Sequence, residues 1–233
     1  MCIRDRLEHC IRDNLNYSAE RRLAVLKPLK VVIENFPEGK IEWLPALNNP
    51  NSDKQEQREI PFSREIWIEQ DDFMEEPSKK FFRLAPGKEV RLRYAFFVTC
   101  NAVIKDEDGE IVELRCSYDP ETRGGNAPDG RKVKGTIHWV SAEHAKDAEV
   151  RIYNSFYNTP SPGRERDFIE DINPNSLEVL ENCKIEPDLI ALDDNVPIQF
   201  ERLGYFYKDS DTTPEKHIYN RTISLRDTWN KKL

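Results

Sequence analysis

No apolar run in this chain approaches the length that crosses a bilayer, and no basic start leads into an apolar secretion segment. Those two absences make a cytoplasmic setting the expectation and give no membrane partner. The cysteines are few and odd in number (Cys2, Cys10, Cys100, Cys116, Cys183) and show no CxxC spacing. That excludes a disulfide framework or a zinc site and leaves reduced thiols. The four histidines, His9, His138, His144 and His217, are scattered without an HExxH pair, and no GxSxG, P-loop or GxGxxG opening a helix is present. Arg123-Gly124-Gly125 reads as a loop with no helix behind it to hold a phosphate. The adjacent acids Asp71/Asp72 and Asp193/Asp194 read as turns and surface. Catalytic residues, metal ligands and bound cofactors are therefore expected to be absent from this stretch of chain.

What is present begins with charge. The 233 residues are 33% charged and 38% hydrophobic, enough for a sizeable core under a large wet surface, in one domain or two. A formal charge of −8 argues against nucleic acid as a partner only if the basic residues are spread evenly. They are not. Lys79–Arg93 carries six basic residues (Lys79, Lys80, Arg83, Lys88, Arg91, Arg93) against one acid, Glu89. After the Ala85-Pro86-Gly87 turn, Val90, Leu92 and Tyr94 alternate with Arg91 and Arg93, the period of a half-buried strand. Arg91 and Arg93 are then expected on one face, away from the core. Guanidinium forks fixed on a rigid strand suit phosphates and base edges. A solvated edge strand that uses basic side chains to block pairing reads the same way.

Along the chain, the tetrapeptide CIRD occurs at Cys2–Asp5 and again at Cys10–Asp13. The immediate repeat makes a scar of cloning or assembly the expectation for Met1–Arg6, which is left out of the fold reading. Leu7–Arg22 is expected as a helix with Leu7, Ile11 and Leu15 on one face. Leu29–Phe36 is a buried strand answered, after Pro37-Glu38-Gly39, by Lys40–Leu47; Asn48–Arg58 is a polar loop and Arg64–Gln70 a further strand. Tyr94–Asp106 and Glu110–Asp119 form a hairpin about Glu107-Asp108-Gly109, and Pro120–Gly130 is a loop. Lys132–Ala142, Ala148–Tyr157, Pro197–Asp209 and His217–Trp229 read as later strands, while Asp167–Ile172 and Ser176–Asn182 read as single helical turns or strand entries. Evenly spaced short strands point to barrels.

Among the candidate contacts, Phe81, Phe82, Tyr94, Phe96 and Phe97 are expected in the core, any exposed one being free to stack a base. Arg131, Lys132 and Lys134 form a second basic cluster that is either surface or a phosphate contact, and His138 beside Trp139 reads as a structural strand residue. Gln199 and Glu201 straddle Phe200 and share a face beside Arg202; donor and acceptor groups mixed this way suit a base edge.

Five segments together carry a family likeness: REIPFSREIWIEQDDF (Arg58–Phe73), GKEVRLRYA (Gly87–Ala95), DGRKVKGTIHWVSAEHA (Asp129–Ala145), QFERLGYF (Gln199–Phe206) and NRTISLRDTW (Asn220–Trp229). They resemble the C-terminal anticodon-binding body of glutaminyl-tRNA synthetases, in family order from about Leu7 onward. The resemblance implies a mainly β fold, two antiparallel β-barrels in tandem behind a short N-terminal helical segment. It divides the chain into 1–22, the end of a helical subdomain, 23–122, the first barrel, and 123–233, the second, with the question open whether the C-terminal strands return to the first.

Position by position, the resemblance implies that Arg83 reads the third anticodon base and that Arg91 and Arg93 clamp the first nucleotide. Gln199 with Arg21 would hold the central uridine, flanked by Glu201 and Arg202, and Asn48 to Asn51 would touch the anticodon loop. Lys80 is given a phosphate contact, and Lys132 joins the basic surface. HIGH- and KMSKS-like motifs do not occur. The expectation is a monomeric fragment that binds tRNA(Gln), inactive by itself, whose ATP- and Mg-using catalytic domain lies in cis elsewhere. A stand-alone RNA-binding barrel, the equivalent body of a glutamyl enzyme, and a protein-interaction module whose basic residues scatter over several faces remain the alternatives.

Overall fold

The computed structural model describes residues 3–225; the 226–229 part of the expected last strand, and Cys2, lie outside them. The helix α1 (Ile3–Ser18) comes first, then β1 (Glu20–Arg22), β2 (Ala24–Val25), β3 (Pro28–Ile33), β4 (Glu42–Leu47), β5 (Gln57–Phe62) and β6 (Glu65–Glu69). Next are β7 (Glu89–Leu92), β8 (Phe97–Lys105), β9 (Ile111–Asp119), β10 (Thr136–Ile137) and β11 (Val140–Ser141). The chain continues with β12 (Lys146–Tyr153), β13 (Leu177–Ile185), β14 (Ile198–Phe200), β15 (Gly204–Lys208) and β16 (His217–Ser224). The protein is mainly β, as its alternating apolar pattern implies, and its two large sheets form a nearly closed barrel and a half-barrel.

The first sheet runs β10-β7-β8-β9-β3-β6-β11 and the second β1-β14-β15-β16-β12-β13-β2, with β4 and β5 as a separate ribbon. Most neighbours are antiparallel, but β3 with β9, β7 with β10, β1 with β14 and β12 with β16 are parallel. Each sheet borrows short strands across the sequence. β1 and β2 join the second sheet, and β10 and β11 join the first. β2 lies between the two cores: Leu23 and Val25 pack with the first core, built around Phe36, Phe62, Phe96 and Trp139. Ala24, one residue out of phase, faces the second core of Phe200, Phe206 and Tyr219. Period-2 alternation thus serves two interiors from one strand.

Several local expectations change. The helix begins at Ile3, inside the segment expected to lie outside the fold, and Lys132–Ala142 is strand only at β10 and β11. Lys40–Leu47 does not pair with β3; β4 pairs with β5, while β3 lies between β6 and β9. The helix stops at Ser18, because the Arg21 amide donates to Asn48 O (2.6 Å) and Arg21 aligns with Gln199 as a strand residue. Ile11 and Leu15 of the helix pack on Ala19, Tyr205 and Ile223, whereas Leu7 is 59% exposed. The hairpin of β8 and β9 forms as expected, its turn held by Asp106 Oδ1, which accepts from the amides of Asp108 (3.0 Å) and Glu110 (2.9 Å). Of the two short segments, Phe168–Asp171 is a 3-10 turn, and Leu177–Ile185 is a full strand.

Candidate nucleic-acid interface

Two hairpin turns, one from each sheet, meet at the centre of the site. Between β7 and β8 the Ala95 amide donates to Leu92 O (3.0 Å), which puts Tyr94 at φ 63. Between β14 and β15 the Leu203 amide donates to Phe200 O (2.9 Å), which puts Arg202 at φ 70. Non-glycine residues rarely adopt this left-handed region, and each costs on the order of 1–3 kcal/mol unless its surroundings hold it. Glycine would relieve both turns, yet would remove the Tyr94 hydroxyl that reaches Glu201 and the Arg202 fork that holds Asp72. The Tyr94 hydroxyl donates to Glu201 Oε1, and Arg93 Nε lies 2.7 Å from Glu201 Oε2. Arg93 also sits 4.8 Å over the Tyr94 ring. Burial, then the Glu201 carboxylate, pushes the Tyr94 hydroxyl up to about 12. Desolvation works against the Arg93 charge, but Glu201 and Tyr94 outweigh it and raise its pKa.

Next to Glu201, Arg202 forks onto both oxygens of Asp72, and Arg83 Nη1 lies 3.2 Å from Asp72 Oδ1 and 2.9 Å from Asp71 O. Asp72 is 1% exposed, so the sequence expectation that Asp71/Asp72 is a surface pair holds for Asp71 only. The 3-10 turn Gln70–Asp72 folds the second carboxylate inward, where two guanidinium groups compensate its charge. His138, 1% exposed, completes the cluster: its Nδ1 is 2.9 Å from Arg202 Nη1 and its Nε2 is 3.3 Å from Glu69 Oε1. Glu69 in turn accepts from the amides of Leu26 (2.7 Å) and Lys27 (3.0 Å).

Beside this cluster lies an open cleft of about 510 Å³ lined by Asp71, Phe73, Lys80, Phe81, Phe82 and Arg83. Phe96 and Phe97 are in the core as expected and Phe81 and Tyr94 are half-buried, but Phe82 is 51% exposed. Its ring lies 5.0 Å beneath Lys134 Nζ. Gly135 is needed there, because a Cβ would fall 1.9 Å from Phe82 O. Lys80 and Lys132 are exposed, with no ion pair to either among the described residues.

Arg91 stands apart from these contacts. Its guanidinium lies 5.4 Å from the Phe97 ring centre, where Arg131 also sits at 5.3 Å, and its Nε is buried without a hydrogen-bond partner. Arg91 in β7 and Arg93 just past its end donate their amides to β10 and the residue before it, Arg91 to Gly135 O and Arg93 to Ile137 O, each at 2.9 Å. β7 is therefore not a free edge at that point, and blocking edge pairing does not account for its basic side chains.

Arg21 and Gln199 are cross-strand neighbours, directly before the Glu201 turn. Arg21 Nη2 donates to Asn16 Oδ1 (3.2 Å), while the 7% exposed Gln199 makes no side-chain hydrogen bond among the described residues. Asn48 Oδ1 accepts from Arg22 Nη1 (3.3 Å) and Arg58 Nη1 (3.4 Å), which ties it to a buried ion-pair group. In that group Glu186 is held by Arg58 (2.7 and 3.0 Å) and by Arg22 Nε at 3.3 Å. Asn51 donates to Asn16 O (3.2 Å), but the residue that clamps this loop is Asn49. The Asn49 amide reaches Tyr17 O (2.9 Å) and Ala19 O (3.0 Å) at the helix end. The sequence places Asn49 within the expected Asn48–Asn51 loop without marking it as the clamp, and it does not disclose the burial of Asp72 or the tie of His138 to Arg202.

Arg83, Arg93, Glu201 and Arg202 thus form one connected set, with Lys80 and Phe82 along the adjoining cleft, Arg21 and Gln199 behind it, and Arg91, Asn48, Asn51 and Lys132 outside its hydrogen bonds. Fold and site define a β-sheet body whose guanidinium forks and exposed aromatic ring have the chemistry of single-stranded RNA contacts. Residues 19–119 and 136–209 match two family models, both described as tRNA synthetases class I (E and Q), anti-codon binding domain. The chain belongs to this family of anticodon-binding domains.

The glutamine–tRNA ligase of Bradyrhizobium diazoefficiens is 60% identical over 227 residues, and that of Aliivibrio fischeri 53% identical over 224. The glutamine–tRNA ligase of Vibrio vulnificus is 50% identical over 226 residues. Each comparison covers 96–97% of this chain and 40% of the relative, so the chain spans well under half the length of the ligases it matches. No helix among the described residues is long and apolar enough to cross a membrane.

Proposed function

We propose that this chain is the anticodon-reading, C-terminal part of a glutaminyl-tRNA synthetase, a cytoplasmic, monomeric ligase that charges tRNA(Gln) with glutamine at the expense of ATP. The observation that carries the reading is the meeting of two strained turns, which brings Arg93, Glu201 and Arg202 together, with Asp72 joining Arg202 to Arg83 in the wall of an adjoining cleft. Arg83, part of the cleft wall, reads the third anticodon base; Arg93 and Arg91 hold the first nucleotide and its phosphate. Gln199, whose side-chain amide makes no hydrogen bond among the described residues, reads the central uridine with Arg21, and Glu201 and Arg202 flank these pockets. Asn48 and Asn51 shape the loop contact, while Lys80 and Lys132 meet phosphates. The division into 1–22, 23–122 and 123–233 is part of the same proposal, with β1 and β2 reaching forward across it and β10 and β11 reaching back.

Catalysis belongs to the rest of the ligase. ATP and Mg belong in this reading to the catalytic domain in cis. Filter binding tests the proposal. The chain should bind tRNA(Gln) more tightly than the same RNA with a scrambled anticodon, with affinity falling as salt rises. Equal binding to both contradicts it, as does glutamine-dependent ATP–pyrophosphate exchange by this chain alone.

A further inference from the structure

The proposed reading leaves unexplained why a buried carboxylate and a buried imidazole stand between the two sheets. Asp72 takes Arg202 with a two-pronged contact and Arg83 with a single one, and both arginines compete for the lone pairs of one carboxylate. On its other side Arg202 Nη1 lies 2.9 Å from His138 Nδ1. A guanidinium has donors only, so Nδ1 must be the bare acceptor of the ring. The ring proton then sits on Nε2 and points at Glu69 Oε1, 3.3 Å away. Glu69 is fixed by two backbone amides, those of Leu26 and Lys27. A continuous chain of contacts therefore runs from backbone through Glu69, His138, Arg202 and Asp72 to Arg83. Arg202 stands at its midpoint on a left-handed backbone that its surroundings must enforce.

We propose that Asp72 and His138 are positioning residues that couple the third-base contact of Arg83 to the central pocket flanked by Arg202, so that the two bases are read as one unit. This rests on the anticodon reading above. When RNA engages Arg202, the hold of Asp72 on Arg83 changes, because the carboxylate redistributes its lone pairs between the two cations. His138 sets the angle of Arg202 by accepting from Nη1, which it shares with Asp72 Oδ2, while Nη2 donates to Asp72 Oδ1. A packing role for His138 would need its volume only, whereas this role needs an acceptor at Nδ1.

The test is filter binding of the full chain to tRNA(Gln) and to two variants, altered at the central or the third anticodon base. Arg202→Ala should lower discrimination at the third base by roughly fivefold or more although Arg83 is intact, the size of an ordinary coupling between sites. The loss in Arg83→Ala with Arg202→Ala together should fall short of the product of the two single losses. Arg202→Lys should behave like Arg202→Ala at the third base, since an ammonium cannot reproduce the fork. His138→Asn, which keeps an acceptor near Nδ1, should retain third-base discrimination that His138→Leu loses; thermal melting checks that each variant is folded. Independent losses, with third-base discrimination untouched in both Arg202 variants, overturn the coupling, and equal loss in the two His138 variants overturns the part given to the imidazole. A wild-type chain that binds all three RNAs alike overturns the anticodon reading itself, a result distinct from either.

Discussion

The Tyr94 hydroxyl donates to Glu201 Oε1 across the junction of the two sheets, joining residues 107 positions apart in the chain. Glu201 is buried and also meets Arg93, so this carboxylate is the point where the β7–β8 turn and the β14–β15 turn hold one another. Tyr94→Phe removes a hydrogen bond to a charged acceptor and should cost about 1.5–3 kcal/mol in urea unfolding. A change within about 0.5 kcal/mol, the range of ordinary surface substitutions, would show that the two turns stay together without it.

The same contact has a pH signature. The folded Tyr94 hydroxyl titrates at about 12, above the ordinary tyrosine value of about 10. A folded pKa above the unfolded one gives stability that is complete below about 10 and lost as pH rises toward 12. Wild-type protein should therefore lose stability across this interval more steeply than Tyr94→Phe. Parallel curves for the two proteins would contradict the assignment.

Acid acts through other residues. The Arg131 guanidinium holds the Asp119 carboxyl low, and Lys216 followed by Arg151 does so for Glu149. The Gly163 amide with Arg166 lowers Asp171, and the Asp211 amide with Asn220 lowers Asp209. For each, the folded pKa lies below the unfolded one, so its contribution is present above the ordinary carboxylate range of about 4 and fades as pH falls through the folded values. Glu186 works in the opposite sense, since burial raises it despite Arg58 and Arg22. The net expectation is a melting temperature that drops below about pH 4. Arg131→Gln should show a shallower drop than wild type.

Arg58→Met strips the two-pronged partner from Glu186, which is left with Arg22 and the Leu23 backbone. Breaking a buried pair from one side costs about 3–5 kcal/mol. Equilibrium denaturation measures it, and a loss below about 1 kcal/mol would mean that Arg22 suffices.

Arg83→Ala should cost on the order of 1–3 kcal/mol of discrimination at the third anticodon base, the range of a good two-pronged base contact. Competition binding between RNAs differing at that base measures it. A uniform loss across anticodons would reassign Arg83 to phosphate.

The sequence discloses strands better than their partners. Alternation at Leu29–Phe36 and in the β8–β9 hairpin marks buried faces, because a strand's period is a local property. Pairing is not local. Nothing in Lys40–Leu47 tells that it will pair with Gln57–Phe62 rather than with β3, nor in Glu20–Arg22 that it continues the second sheet instead of the helix. The site follows the same rule. Arg83, Arg93, Glu201 and Arg202 are visible as residue types suited to RNA and by family likeness. Asp72 is not, since two consecutive acids look like surface until Arg202, 130 residues away, is folded against one of them. The Tyr94 position was legible as a strand residue facing inward; its left-handed turn, which turns the hydroxyl toward Glu201, was not.

Chemical probing of base edges in the anticodon loop, with and without the chain bound, tests the central claim most directly. If two turns on a β body hold three splayed nucleotides, all three anticodon bases should change reactivity on binding, and Arg83→Ala should restore the free pattern at the third base while the first stays protected. Protection confined to the helical stems, with the anticodon bases as reactive as in free RNA, would contradict the account.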